Sequence, residues 1–293
     1  MADTSAMQDL RGLSVDKLVK GFADEEIKLR NYVNVTNTPN RQIRWYQQTS
    51  GFLRAVTTSG ITSGTIASSH KSLPQVQEQS WTRNNSYIKN FKIESPWFSI
   101  EDISDGDVDV LARNLKQLTR AVLHEEDLHI WDILSESQSA SNIQSVSITH
   151  EWDDYSNCTP IVDILNCKRL ILNENYDPEG AILLLNSNVH TYLVNWLINT
   201  KGANIPAFAS QKVVDGQVME ILGLRIVISN VVTADYGVVF IPNRAVTLKE
   251  FKPITSYVLD EPGVAKKVRI VLESVALLTD PKCVVLLDNM GPS

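Results

Sequence analysis

The spacing of apolar residues defines the elements before any single residue does. Val108, Leu111, Leu115, Leu118 and Val122 recur at alternating steps of three and four, which lines one face of an α-helix. Ser104 or Asp105 can cap this helix, acids crowd its first turn, and the pattern runs on through Trp131 to about Leu134. About thirty residues at ~1.5 Å each make a rod of roughly 45 Å, long for a globular protein of this size. Tyr87 to Glu94 shows the other period, with Tyr87, Phe91 and Ile93 on one face and Asn90, Lys92 and Glu94 on the other, which predicts a strand. Ile43 to Val56, with Trp45 and Phe52, is predicted as its partner strand. Between them Thr57 to Gln79 is dominated by Ser, Thr, Gly and Gln. Two strands and a long polar tip make an extended hairpin over 41–95. A hairpin this polar cannot stabilise itself and needs a surface to lie on.

Residues 1 to about 40 read as an arm. Ser14 can cap a short helix with Val15, Leu18, Val19 and Phe22 on one face, Asp24 to Val33 is mixed, and Asn34 to Asn40 is polar. Its apolar surface is too small to fold alone, so it is either a frayed terminus or an arm ordered by a partner. Ser135 to Ser145 is a polar connector ending the long helix. The second half is a mixed α/β unit. Thr159-Pro160 opens a helix followed by Ile161, Ile164 and Leu165, and Ala181 to Leu185 is a buried strand. Asn186 or Ser187 then caps a helix with Val189, Leu193, Trp196 and Leu197 on one face, closed by Gly202. Strands follow at about 218–222, 224–229 and 238–241, and Ala245 to Asp288 is nearly all strand. Lys266 to Leu278 exceeds the usual strand length and predicts an elongated sheet.

Composition narrows the function. A chain of 293 residues with 43% hydrophobic content buries a real core in one large domain or two ordinary ones. A net charge of −7 argues against a general nucleic-acid binder. No apolar run approaches the ~20 residues that span a bilayer, and the N-terminus lacks the basic start and apolar stretch of a signal peptide. Cys158, Cys167 and Cys283 are too few and too odd in number for a disulfide framework. The expectation is a soluble protein made in a reducing compartment.

The chemistry-bearing residues assign no catalytic, cofactor or metal site. His124 and His129 bracket Glu125, Glu126, Asp127 and Leu128, but five steps put the two imidazoles about 140° apart on a helix, so they cannot share a metal. That run reads as a solvated charged face. His150, Trp152, Asp153 and Asp154 form a polar cluster whose carboxylates could bind a cation, and a strand end or turn explains it equally well. No phosphate-binding glycine loop and no nucleophile elbow is present. Charge is unevenly distributed. Residues 41–92 hold seven basic side chains against Glu78, a net of +6, whereas 101–136 hold ten acids and three bases, a net of −7. Opposite signs suggest complementary contact, the alternative being two solvated segments.

The order of parts is arm, polar hairpin, Pro96-Trp97-Phe98 junction, long acidic helix, α/β unit and long closing strands. It resembles the HK97-like major capsid protein of tailed bacteriophages. The hairpin is similar to that family's extended loop and the helix at about 105–135 to its spine helix. Leu172 to Asn186, with Tyr176-Asp177-Pro178 ahead of Ala181 to Asn186, is similar to a helix–turn–strand passage of the apical domain. Gly223 to Asn230 and Asp235 to Ile241 resemble its later strands, and Val268 to Asp280 followed by Lys282 to Val285 resembles the peripheral strand returning to it.

The resemblance implies an α+β fold with an N-terminal arm (1–40), an extended β-hairpin loop (41–95), a peripheral domain with the spine helix (96–157), an apical domain (158–243), peripheral return strands (244–280) and an apical C-terminal strand (281–293). It implies a structural protein, not an enzyme. Copies would self-assemble as hexamers and pentamers of an icosahedral shell around double-stranded DNA, without sequence-specific binding, membrane or cofactor. Scaffolding, portal or decoration proteins are its further implied partners, and its location is the virion after synthesis in the host cytoplasm. In such a shell the loop lies over a neighbour, setting Arg54, Lys71, Arg83, Lys89 and Lys92 against Asp105, Asp107, Asp109, Glu125 and Glu126 as subunit-contact candidates. Only about 40 residues precede the hairpin, so a long N-terminal scaffolding segment is not expected. Some members cross-link a loop lysine to a neighbour's asparagine; Lys71 has no matched partner, and that chemistry is not carried over. The runner-up is an encapsulin-like compartment enclosing a cargo enzyme, and the third reading is an α/β enzyme with an unrecognised site, for which His150 and Asp153 are the residues to replace.

Overall fold

Two long strands and one long helix set the frame. A computed structural model describes residues 12–26, 29–49, 81–99, 108–198 and 220–291. In chain order the first half forms α1 (Gly12–Glu26), β1 (Asn34–Asn37), β2 (Gln42–Gln48), β3 (Trp81–Tyr87), β4 (Lys89–Glu94), β5 (Phe98–Ser99), α2 (Val108–Leu134) and β6 (Gln144–Ser147). The second half forms α3 (Pro160–Asn173), β7 (Ile182–Leu185), α4 (Ser187–Trp196), β8 (Glu220–Ile221), β9 (Leu224–Ile228), β10 (Gly237–Phe240), β11 (Val246–Glu261), β12 (Ala265–Leu278) and β13 (Val284–Asp288). The chain divides into two units, one of Met1–Ile43, Asn85–Ile133 and Thr247–Leu277, the other of Arg44–Asn84, Leu134–Val246 and Leu278–Ser293.

In the first unit β1, β11, β12 and β4 form a sheet in that order, with β5 also paired to β12. β11 has 16 residues and β12 has 14, about 50 Å of strand at ~3.3 Å per residue. The turn between them places Gly263 at φ +78°, in the left-handed region that favours glycine. Near that turn β12 buries Ala265 and Val268 but leaves Lys266, Lys267 and Arg269 half-buried, whereas from Ile270 to Leu278 every residue is buried. The strand therefore begins with solvent on one face and ends covered on both. Val268, Ile270 and Leu272 pack with Leu115 and Val122 of α2 and with Val15 and Val19 of α1. β4 joins antiparallel with Ile93 opposite Ile270 and Phe91 opposite Leu272. A slip of one residue would turn Lys92 and Asn90 inward, so the pattern locks the register.

Three sequence expectations are corrected here. The arm is not frayed over its described part: Val15 and Val19 are fully buried, and β1 pairs in parallel with β11 from Asn34–Thr247 to Asn37–Glu250. The α1 helix starts at Gly12, so Ser14 lies inside it instead of capping it, and Leu18 stays 41% exposed. The strand that pairs with β2 is β3, not 87–94. The chain breaks at Ile88, whose N–H donates to the Arg41 carbonyl at 3.0 Å, and β4 continues into the larger sheet while Tyr87 is left exposed. Phe52 and the polar tip lie outside the described residues.

In the second unit six strands lie in the order β6, β13, β10, β7, β9, β8. β7 and β10 are buried at every position, as strands covered on both faces must be. β6 pairs in parallel with β13, so a strand begins at Gln144, inside the polar connector expected over 135–145. Its alternation is legible only once β13 supplies the neighbour. α3 packs on β6 and β13, and Ile164, Cys167 and Ile171 are buried on it. Lys168 Nζ donates to the Leu222 carbonyl at 2.7 Å, tying the helix to the β8–β9 turn. Asn186 caps α4 by accepting the Asn188 N–H, and Val189, Leu193, Trp196 and Leu197 form the buried face, as the sequence predicts. Gly202 lies outside the described residues.

Candidate subunit-contact surfaces

Among the described residues β2 and β3 form a two-stranded sheet. Asn84 Nδ2 donates to Gln47 Oε1 across the ribbon at 3.3 Å, yet Tyr46 is 58% exposed, Trp81 51% and Tyr87 69%. Three aromatic rings on a ribbon that cannot bury them make an apolar surface awaiting cover. Arg83 is exposed on the same ribbon. Arg54 and Lys71 lie outside the described residues.

Lys89 and Lys92 belong to β4. Lys92 is exposed opposite Val271 of β12. Lys89 Nζ approaches His129 Nδ1 of α2 at 3.0 Å, and Ala276 N–H donates to His129 Nε2 at 3.2 Å. Burial, and then the positive Lys89, push the imidazole down to about 4. His129 is therefore a neutral core residue.

On the acidic side, Asp105 and Asp107 lie outside the described residues, Asp109 lies in the first turn of α2, and Glu125 is exposed. Glu126 corrects the expectation of a solvated face over 124–129. It is 1% exposed, accepts the Ser274 hydroxyl at 2.7 Å and pairs with Arg30 at 3.5 Å. Arg30 also donates to Glu250 at 2.8 Å, and Asp127 accepts the Leu29 N–H at 3.3 Å. Burial raises the Glu126 carboxyl, with Ser274 and Arg30 opposing it. Burial pulls the Arg30 guanidinium down, but the charges of Glu126 and Glu250 more than offset it. Glu126 thus serves the inside of its own chain. The signal for this was present: Glu126 follows Val122 by four residues and continues the apolar stripe.

Three further ion pairs join residues too far apart in the chain to be read from local pattern. Arg41 reaches Glu273 at 3.1 Å and lies over the Phe251 ring. Glu94 takes Lys267 and Arg269 together. His150 is exposed, Asp153 sits in a turn, and all three cysteines are buried thiols. Among the described residues no group of three or more His, Cys, Asp or Glu could hold a metal ion, and no helix is long and apolar enough to cross a membrane.

A family model described as phage capsid protein matches residues 97–286. No curated protein sequence matches the chain. Among solved structures, the capsid of the cyanophage P-SCSP1u is similar with a TM-score of 0.67 at 13% identity, over 91% of this chain and 89% of that one. A virus-like particle from Pyrococcus furiosus gives 0.63 at 12% identity over 94% and 98%. A structure from Mycobacterium phage Che8 gives 0.61 at 17% identity over 91% and 92%.

Proposed function

Because the chain belongs to the phage capsid protein family and has the HK97-like fold, we propose that its β2–β3 hairpin is the element that fastens one subunit of the phage shell to the next. The chain is a major capsid protein whose copies assemble into a shell. The observation that carries the proposal is the exposure of Tyr46, Trp81 and Tyr87 on a two-stranded ribbon. Such a ribbon gains its stability when a neighbour buries those rings. The shell is icosahedral, built of hexamers and pentamers, and encloses double-stranded DNA without gripping it, as the net charge of −7 favours. Scaffolding, portal or decoration proteins join it, and the subunit is made in the host cytoplasm before it enters the virion. The role is structural, so a His150→Ala variant assembles normally.

Electron microscopy of the purified protein tests this reading. Closed shells are expected; small, discrete oligomers under every assembly condition overturn it. The fold is shared with the Pyrococcus furiosus virus-like particle, which keeps a protein-filled compartment as the second reading. Particles isolated from their source distinguish the two: a DNA genome inside supports the phage shell, and a packed protein cargo supports the compartment.

A further inference from the structure

Helix α3 lies across its sheet with one face inward and another that no described residue covers. Ile164, Cys167 and Ile171 are fully buried, whereas Val162 is 52% exposed, Leu165 47% and Leu172 54%. Steps of three and seven at about 100° per residue place these three within a stripe roughly 80° wide. Arg169 is exposed in the middle of that stripe. The only carboxylate of the helix, Asp163, is turned inward and accepts the Trp152 Nε1–H at 3.1 Å. The outward face is therefore apolar and basic with no acid on it.

Elsewhere this unit carries a cluster of half-buried acids at Glu151, Asp153 and Asp154. The Asp154 carboxylate accepts from the Ser156 N–H at 3.3 Å and from Asn157 Nδ2 at 2.8 Å, which fixes the turn. That turn leads into the N-terminal end of α3. Arg169 lies ten residues beyond Thr159, about 15 Å along the axis, so helix length separates it from the Glu151–Asp154 turn of its own copy.

We propose that α3 is a subunit-contact helix: its Val162, Leu165 and Leu172 stripe docks on a second copy of this chain, with Arg169 against that copy's acidic turn at Glu151–Asp154. The basic stripe and the acidic turn are different patches of one unit, so the contact is heterologous, and repetition of it generates a ring or an open helix. Apolar contact supplies the attraction, and the charge pair selects the register. Three side chains fall well short of the ~800 Å² per partner of a stable interface, so this is one contact among several that a closed assembly strengthens together. The inference rests on the reading that copies of this chain assemble.

The test uses the full chain, with assembled fraction read by sedimentation and subunit stability by thermal melting. Leu165→Glu with Leu172→Glu is expected to lower the assembled fraction roughly tenfold or more, with the melting temperature nearly unchanged because both positions face outward. Arg169→Glu alone and Asp153→Arg alone each lower it, and the two together recover most of the loss. A helix-dipole role for these charges would move stability and give no such recovery. Wild-type assembly of both the leucine variant and Arg169→Glu overturns the inference. If the leucine variant melts early, the charge pair decides: failure of the double reversal to recover assembly overturns the inference. A wild-type protein that never assembles overturns the shell reading and this contact with it, whereas assembly of wild type and all variants alike removes the contact only.

Discussion

The Glu126 carboxylate accepts the Ser274 hydroxyl at 2.7 Å, joining the middle of α2 to the fully covered half of β12. Its second oxygen lies 3.5 Å from Arg30, which holds Glu250 at 2.8 Å. One buried carboxylate thus ties the N-terminal arm, the long helix and both long strands into one network. Removing one member leaves a charge or hydroxyl buried without its partner. Glu126→Ala is expected to cost about 3 kcal/mol in chemical denaturation. Glu126→Gln keeps an acceptor and is expected to cost less, since burial already disfavours the charge. Equal losses for the two substitutions would show that packing volume, not the polar network, is what matters there.

His129 gives the fold an acid-sensitive component. Its imidazole titrates at about 4 in the folded chain, against 6.5 when unfolded. As pH falls from about 6.5 to about 4, the unfolded chain takes up a proton that the folded chain refuses. Stability is therefore lost across that window, by up to about 3 kcal/mol. His129→Gln retains an acceptor for the Ala276 N–H and should flatten this part of the stability–pH curve. An unchanged slope in the variant would assign the acid sensitivity to other groups.

Gly237 sits where β10 has no room for a side chain. A Cβ there would meet Met290 Sδ at 2.7 Å and Leu185 Cδ2 at 3.0 Å. Gly237→Ala is expected to cost about 1–3 kcal/mol by overpacking, read as a lowered melting temperature. Met290→Ala in the same chain should return part of that loss. No return would place the clash at Leu185.

The hairpin should matter to assembly and not to the subunit. Deleting Ser59 to Gln79 is expected to leave a folded, soluble subunit that assembles poorly. Trp81→Ala and Tyr87→Ala, at positions 51% and 69% exposed, should change subunit stability by no more than about 0.5 kcal/mol and still reduce the shell yield seen by electron microscopy. Normal shells from the deletion would falsify the role given to this element.

Much of the frame was legible from spacing. The α2 stripe, the inward Phe91 and Ile93, the Asn186 cap and the unusual length of β12 each follow from residues close together in the chain. The contact surfaces were less legible. The charged run at 124–129 reads as solvated from composition, but Glu126, Asp127 and His129 are buried. For Glu126 and His129, four and seven residues beyond Val122, position along the apolar stripe and not charge predicts where they point. β6 and β1 are not legible in the sequence because short polar strands take their identity from the neighbour they pair with.

Hydrophobic period and capping chemistry are local properties, so the sequence was enough to establish the long helix, the α/β half, the elongated sheet and the order of parts that marks the family. Contacts between distant residues could not be read that way. Arg30 meets Glu250 across 220 positions and Ser274 meets Glu126 across 148. Whether Lys89 extends the hairpin or faces His129, whether Glu126 faces solvent or Ser274, and whether the arm hangs free or seals the core depended on which strand became the neighbour. That choice is made by packing, since a buried charge persists only where the fold brings it a partner.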